Sequence, residues 1–180
     1  MIQRVDTKEI IAESFLELVR KQTIKKIRVL DIVSNCSMSR ESFYYHFNDK
    51  YELMFWIYDK HLGKMIDDSI VNRSIIETQV DILEIMQRYK FFYKAVLFDD
   101  EFSERLLKIY VSNIEKCVVA KLGADALKDP DIDFSIHFYA NGLLQMEKKW
   151  IAGTGSDPIE EIAARICNIM PANIRICYTF

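Results

Sequence analysis

The sequence predicts an all-α fold, and three observations carry that expectation. Only five Gly and three Pro occur in 180 residues, too few for the turns of a β-sandwich or barrel. Apolar residues recur at helical spacing along most of the chain, with no strand alternation of useful length. Helix-start signals are spaced to open about nine helices. Half of the residues are apolar and 28% are charged, the balance of an ordered chain of one domain, or two small ones sharing a core. The longest uncharged run, 134–146, has 13 residues and is too short to span a bilayer as a helix. The opening MIQRVDTKEI lacks the apolar stretch of a secretory signal. A cytoplasmic protein with no membrane partner is expected.

The elements follow in order. Asp6-x-x-Glu9 matches a capping box, and Ile10, Ile11, Phe15, Leu18 and Val19 keep a helical period to about Gln22. A basic linker follows, then a short helix over Val29–Asn35, a turn at Cys36–Met38 and a third helix over Ser39–Tyr45. Asp49-x-x-Glu52 opens a long fourth helix that runs to about Val71. Further helices are expected at 75–88, opened by Ser74-x-x-Glu77, and at 90–98, 101–121, 131–152 and 157–169. In the last, Pro158 suits the first helical position because it lacks an N–H. Breaks fall at Lys128-Asp129-Pro130, Gly153-Thr154-Gly155 and Pro171. The pattern divides the chain into a three-helix unit, 1–48, and a larger helical unit, 49–180.

Charge separates the same two parts. Residues 1–60 hold ten Lys/Arg and nine Asp/Glu, a net of +1, while 61–180 hold 14 and 18, a net of −4. Five of the bases fall between Arg20 and Arg28. Between Arg28 and Phe47 two short helices are joined by three or four residues, an arrangement that presents the second on the surface. Phe43 and Phe47 form its inner face; Arg40, Ser42, Tyr44, Tyr45 and His46 are left outside. A helix of this kind fits the major groove, where Arg and Ser meet base edges and Tyr and His suit the flanking phosphates. Arg28 and Lys50 add charge on either side.

The stretch Val29-x-Asp31-Ile32-Val33-x-x-Cys36-Ser37-Met38-Ser39-x-x-Ser42-Phe43-Tyr44-Tyr45-His46-Phe47-x-x-Lys50-x-x-Leu53 resembles the DNA-binding signature of the TetR family of bacterial transcriptional regulators. The resemblance implies an all-α homodimer whose recognition helices enter successive major grooves of a palindromic operator. It places Arg28, Val29, Met38, Ser39, Arg40, Ser42, Tyr44, Tyr45, His46 and Lys50 at double-stranded DNA. The family's turn carries Ala-Gly-Val-Ser where this chain has Cys36-Ser37-Met38-Ser39; Gly suits a turn that can demand positive φ, and Ser37 is expected to adopt a compatible conformation without loss of function. The arm before the first helix holds only Arg4, and its minor-groove reach should be small. The segments Ile82–Leu97 and Phe138–Ala163 resemble a subgroup close to regulators and co-activators of dihydroxyacetone kinase operons.

The back half should then bind an effector and dimerise. Aromatics there are candidates for an effector pocket, namely Phe92, Phe102, Tyr110, Phe134 and Phe138, with His137 as a polar member. Ile136, Leu143, Leu144, Ile159, Ile162 and Ile166 are expected to form a two-fold seam with a second copy. The apolar tail 174–180 either packs on the body or hangs free. Four scattered cysteines, none at C-x-x-C spacing, are expected to be small buried hydrophobes. The three histidines are far apart, and neither a metal motif nor a phosphate loop occurs. No catalysis, metal or cofactor is expected. The function implied is a repressor released by a small molecule, or alternatively a co-activator that acts through a protein partner.

Overall fold

The computed structural model describes residues 6–72, 74–153 and 157–179, with the side chains of 68–72 left aside. Among them run α1 (Thr7–Leu18), α2 (Val29–Asn35), α3 (Arg40–His46), α4 (Lys50–Asn72), α5 (Ile75–Arg88), α6 (Lys90–Leu97), α7 (Asp100–Leu122), α8 (Pro130–Ala152), α9 (Ile159–Asn168) and α10 (Ala172–Arg175), with 3-10 turns at Ile24–Lys26 and Ala124–Lys128. The all-α expectation holds. The one unforeseen helix, α10, lies in the tail. The Asp6 and Asp49 caps form as expected, accepting from the N–H groups of Lys8 and Glu52. Ser74 makes no side-chain cap. Its carbonyl instead accepts from the Thr78 hydroxyl at 2.9 Å. Pro158 sits one place before the helix, as its N-cap, and Ile159 is the first helical residue.

The three-helix unit closes around Ile11, Phe15, Ile32, Val33, Phe43 and Phe47, all buried. Helices of seven residues are unstable alone, so α2 and α3 depend on this packing. Burying one such aromatic side chain contributes about 1.5–3 kcal/mol, enough for Phe43 and Phe47 to hold α3. A polar tie adds register between α1 and α2. The Ser14 hydroxyl donates to the Ile32 carbonyl at 2.7 Å and accepts from Asn35 Nδ2 at 3.1 Å, while Asn35 also reaches Glu17.

α4 is the shared element. Leu53, Met54, Ile57, Tyr58 and Leu62 are buried in one hydrophobic cluster with residues of both parts of the chain. Behind it α5 pairs with α9, α7 with α8, and α6 crosses against α7 and α8. His61 of α4 stacks on Tyr89 at 3.9 Å and lies 3.3 Å from the Tyr93 hydroxyl. Burial there lowers its pKa to about 4, so it packs as a neutral ring. The tail packs on the body: Ile174 is fully buried and Ile75 N–H donates to the Thr179 carbonyl at 2.8 Å. Of the cysteines, Cys117 and Cys167 are buried, whereas Cys36 and Cys177 are partly exposed.

The turn between α2 and α3 is closed by two hydrogen bonds. Met38 N–H donates to Val33 at 2.8 Å and Ser37 N–H to Ser34 at 3.4 Å, the pattern of a helix end that needs a left-handed residue between them. Ser37 supplies it, at φ 55°. A residue with a Cβ pays about 1 kcal/mol there. Ser37→Gly relieves this but frees the unfolded chain, so it is expected to raise unfolding stability by less than about 1 kcal/mol, read from urea denaturation midpoints.

Candidate nucleic-acid interface and effector cavity

α3 is built to face outward. The Ser39 hydroxyl accepts from the Ser42 N–H at 3.1 Å, which caps the helix. Phe43 and Phe47 pin its back, and Arg40, Tyr44 and Tyr45 stand in solvent, the two tyrosines 51% and 84% exposed. His46 is half-buried and meets the Tyr45 ring edge-on at 4.9 Å. Val29, Met38 and Ser42 are half-buried around the same corner. Arg40 and Tyr44, four residues apart, share one exposed face of α3, and Tyr45 beside them is exposed as well. Arg4 lies outside the described residues.

Two expected phosphate contacts have other partners. Arg28 grips Asp31 through Nη2 at 3.0 Å and Nε at 3.3 Å, and Asp31 also accepts the Arg28 backbone N–H. The pairing raises the arginine's pKa and lowers the carboxylate's. Lys50 Nζ donates to the carbonyls of Ile24 at 2.8 Å and Ile27 at 3.2 Å. An ammonium has three donors, and two are committed to holding the basic linker against the start of α4.

The body contains a half-open cavity of about 90 Å³ between α4, α5, α7 and α8, with the tail contributing Tyr178 to its wall. Glu147 lies in its wall at 2% exposure and accepts a 2.5 Å hydrogen bond from the Tyr110 hydroxyl. Burial pushes its carboxyl pKa up to about 7, against the opposing pull of Tyr110 and Gln79. Gln79 is itself buried, and its Nε2 is near enough to Glu147 to favour the carboxylate without closing a full hydrogen bond. Tyr58, Tyr139 and Tyr178, with Thr78, Asn113 and Cys117, complete the polar part of a wall that is otherwise aliphatic.

Most residues expected at this pocket sit elsewhere. Tyr110 lines it. Phe92 is solid core against Phe15, Tyr93 and His61, and Phe102 stacks on Phe55 at 4.4 Å where α4 meets α7. Phe134, His137 and Phe138 lie on the outside of α8. Spacing alone could not separate the two faces of an aromatic-rich helix. The missed residue, Glu147, carried a legible signal: it falls on the apolar stripe of Ile136, Ala140 and Leu144, where an acid has no ordinary reason to be.

The expected dimer residues are corrected in the same way. Ile136, Leu144, Ile162 and Ile166 are buried within the chain, Ile159 packs half-buried against the core and Leu143 lines the cavity. The stripe of α9 is consumed by α5. Four such side chains leave nothing to offer a second copy. The exposed apolar surface of α8 is instead Phe134 and Phe138, 69% and 66% exposed, their rings stacked 6.0 Å apart.

Glu147 has a consequence for stability. The folded chain holds its proton up to about pH 7, whereas the unfolded chain releases it in the ordinary carboxyl range, so this site's stabilisation is lost as pH rises through about 7. Glu147→Gln should flatten that alkaline decline. Denaturation midpoints measured at about pH 6 and about pH 8.5 should differ less in the variant than in the parent.

Residues 74–172, over half of the chain, match the TetR_C_8 family, described as a transcriptional regulator C-terminal region. Over 179 residues the chain is 23% identical to the HTH-type dhaKLM operon transcriptional activator DhaS of Lactococcus lactis subsp. lactis, spanning 98% of this chain and 95% of that protein. Solved structures of the same fold include a dihydroxyacetone kinase operon activator, DhaS, with a TM-score of 0.62 at 20% identity over 96% of this chain and 98% of that one. A TetR transcriptional regulator from Streptococcus agalactiae superposes with a TM-score of 0.67 at 18% identity, over 96% and 94% of the two chains. No helix among the described residues is long and apolar enough to cross a membrane. Fold, family match and relatives place the chain among regulators of transcription rather than enzymes, and it belongs to the TetR family.

Proposed function

We propose that the protein binds a palindromic DNA operator as a homodimer and that a small-molecule effector controls this binding. The observation that carries the reading is α3, with Arg40, Tyr44 and Tyr45 exposed in front and Phe43 and Phe47 buried behind. In a two-fold dimer such helices reach major grooves about one DNA turn apart, roughly 34–36 Å. Arg40, Ser42 and Tyr45 read base edges, and Tyr44 and His46 contact the flanking phosphates. The boundary between the two working parts falls near residue 48, just before α4.

Control runs along α4. Tyr58 and Ile66 line the cavity, and Lys50 at the other end of the same helix holds the linker before α2. A ligand that prefers one setting of α4 shifts the spacing of the two reading heads; equal affinity for both settings would move nothing. Repression relieved by ligand is the reading we adopt. A second reading is a co-activator that needs a protein partner; the Lactococcus relative, an operon activator, bears on the sign of control and not on the need for a partner.

The primary test is selection of bound DNA from a random duplex pool by the purified protein alone. A recovered palindrome supports the autonomous dimer. No enrichment, followed by enrichment when a partner protein is added, would favour the co-activator. On the selected operator, Arg40→Ala should cost about 1–3 kcal/mol and relax preference at one position per half-site; unchanged preference removes Arg40 from the base readers. Phe138→Arg should give folded monomers in sedimentation, because it charges the exposed stripe of α8. Leu144→Arg should unfold the chain, since its side chain is buried inside one copy.

A further inference from the structure

We propose that the cavity between α4, α5, α7 and α8 receives a small organic ammonium ion, with the Glu147 carboxylate as its counter-ion. The inference rests on the reading of this cavity as the effector site and names the class of compound that fills it. Among the described residues no Lys, Arg or His lines the cavity, and Glu147 is the one acidic residue there. An anionic compound would therefore meet a carboxylate and no compensating charge. A buried carboxylate left without a cation is costly, and an ammonium removes that cost.

The remaining groups suit the same occupant. A carboxylate has about four acceptor positions, and Tyr110 fills one. Gln79, buried and with its amide nitrogen closing no full hydrogen bond, can rotate to bring its carbonyl oxygen to an ammonium N–H, since amide orientation follows the hydrogen-bonding surroundings. Tyr58, Tyr139 and Tyr178 furnish aromatic surface, which attracts cations when they are desolvated. The volume, about 90 Å³, limits the compound to a few non-hydrogen atoms. A neutral alcohol of the same length would leave the carboxyl charge unanswered.

Binding of a cation should also take the proton from Glu147. The groups around it are Tyr58 of α4, Gln79 of α5, Tyr110 and Cys117 of α7, Tyr139 of α8 and Tyr178 of the tail, with Tyr93 of α6 behind them, and burial keeps each phenol and the thiol protonated. Glu147 is then the group that titrates, and affinity should climb up to about tenfold per pH unit below its pKa of about 7 and level off above it.

The test is calorimetric titration of the full chain with n-butylammonium chloride and, separately, 1-butanol. The expected result is affinity for the amine at least about tenfold above that for the alcohol, rising from about pH 6 to about pH 8, and falling at least about tenfold in Glu147→Gln. Equal binding of amine and alcohol, an amine affinity independent of pH, or no amine binding overturns the proposal. The pH profile and the alcohol comparison use the parent protein, so they decide even if the variant folds poorly. Release of the selected operator by a neutral or anionic compound but by no amine would refute the ligand class and leave the effector reading standing. Operator binding that no occupant of the cavity alters would sink the effector reading itself.

Discussion

The structure depends on α4 being buried on both sides of the chain's functional divide. Leu53, Met54, Ile57, Tyr58 and Leu62 are buried in one continuous hydrophobic cluster that includes residues of both parts of the chain. Because protein interiors are close-packed, a shift of this helix cannot be absorbed by one part alone. The Lys50 ammonium strengthens the connection at its start by bonding two carbonyls of the linker. One helix thus lines the cavity with Tyr58 and Ile66 and holds the linker before α2 with Lys50.

The reading head itself is assembled from short pieces that carry little stability of their own. α2 and α3 have seven residues each, and what fixes their angle is the turn between them. Ser37 accepts a left-handed backbone so that Met38 and Ser37 can close the end of α2, and Ser39 immediately caps α3. Three adjacent residues thus serve one geometric purpose. Charge plays a smaller part than the count of bases suggests. Arg28 is held by Asp31 and Lys50 by backbone carbonyls, so the exposed face of α3 owes its character to Arg40 and the tyrosines.

The body balances two opposed demands at Glu147. Its helix must bury a continuous apolar stripe to hold α8 in place, yet that stripe carries a carboxyl group whose charge the interior disfavours. Tyr110 and Gln79 draw the charged form back toward stability, and the outcome is a group that titrates near neutrality. Acids tuned this way are concentrated at sites that do chemistry or bind. On the outer side of α8, Phe134 and Phe138 form a stacked apolar pair in solvent, surface of the kind that monomers rarely leave uncovered.

Local physics made much of this legible in the amino-acid order. Helix positions follow from apolar spacing and caps, which act within a few residues, so α2 was readable to the residue and α5 through α8 to within one or two. The recognition signature was equally readable, because its constraints, the turn and the cap and the buried phenylalanines, all lie within one contiguous stretch. Which face of α8 turns inward was not readable. Its apolar residues circle the helix, and choosing between Ile136 and Phe138 depends on α7, α10 and the tail, contacts made across many intervening residues. The same holds for the cavity, whose wall draws on four long helices and the tail. Sequence alone determined the helices and the reading head, since neighbours along the chain build them; tertiary structure decided the cavity, the outward face of α8 and the partners of Arg28 and Lys50, since those arise where distant segments compete for the same space.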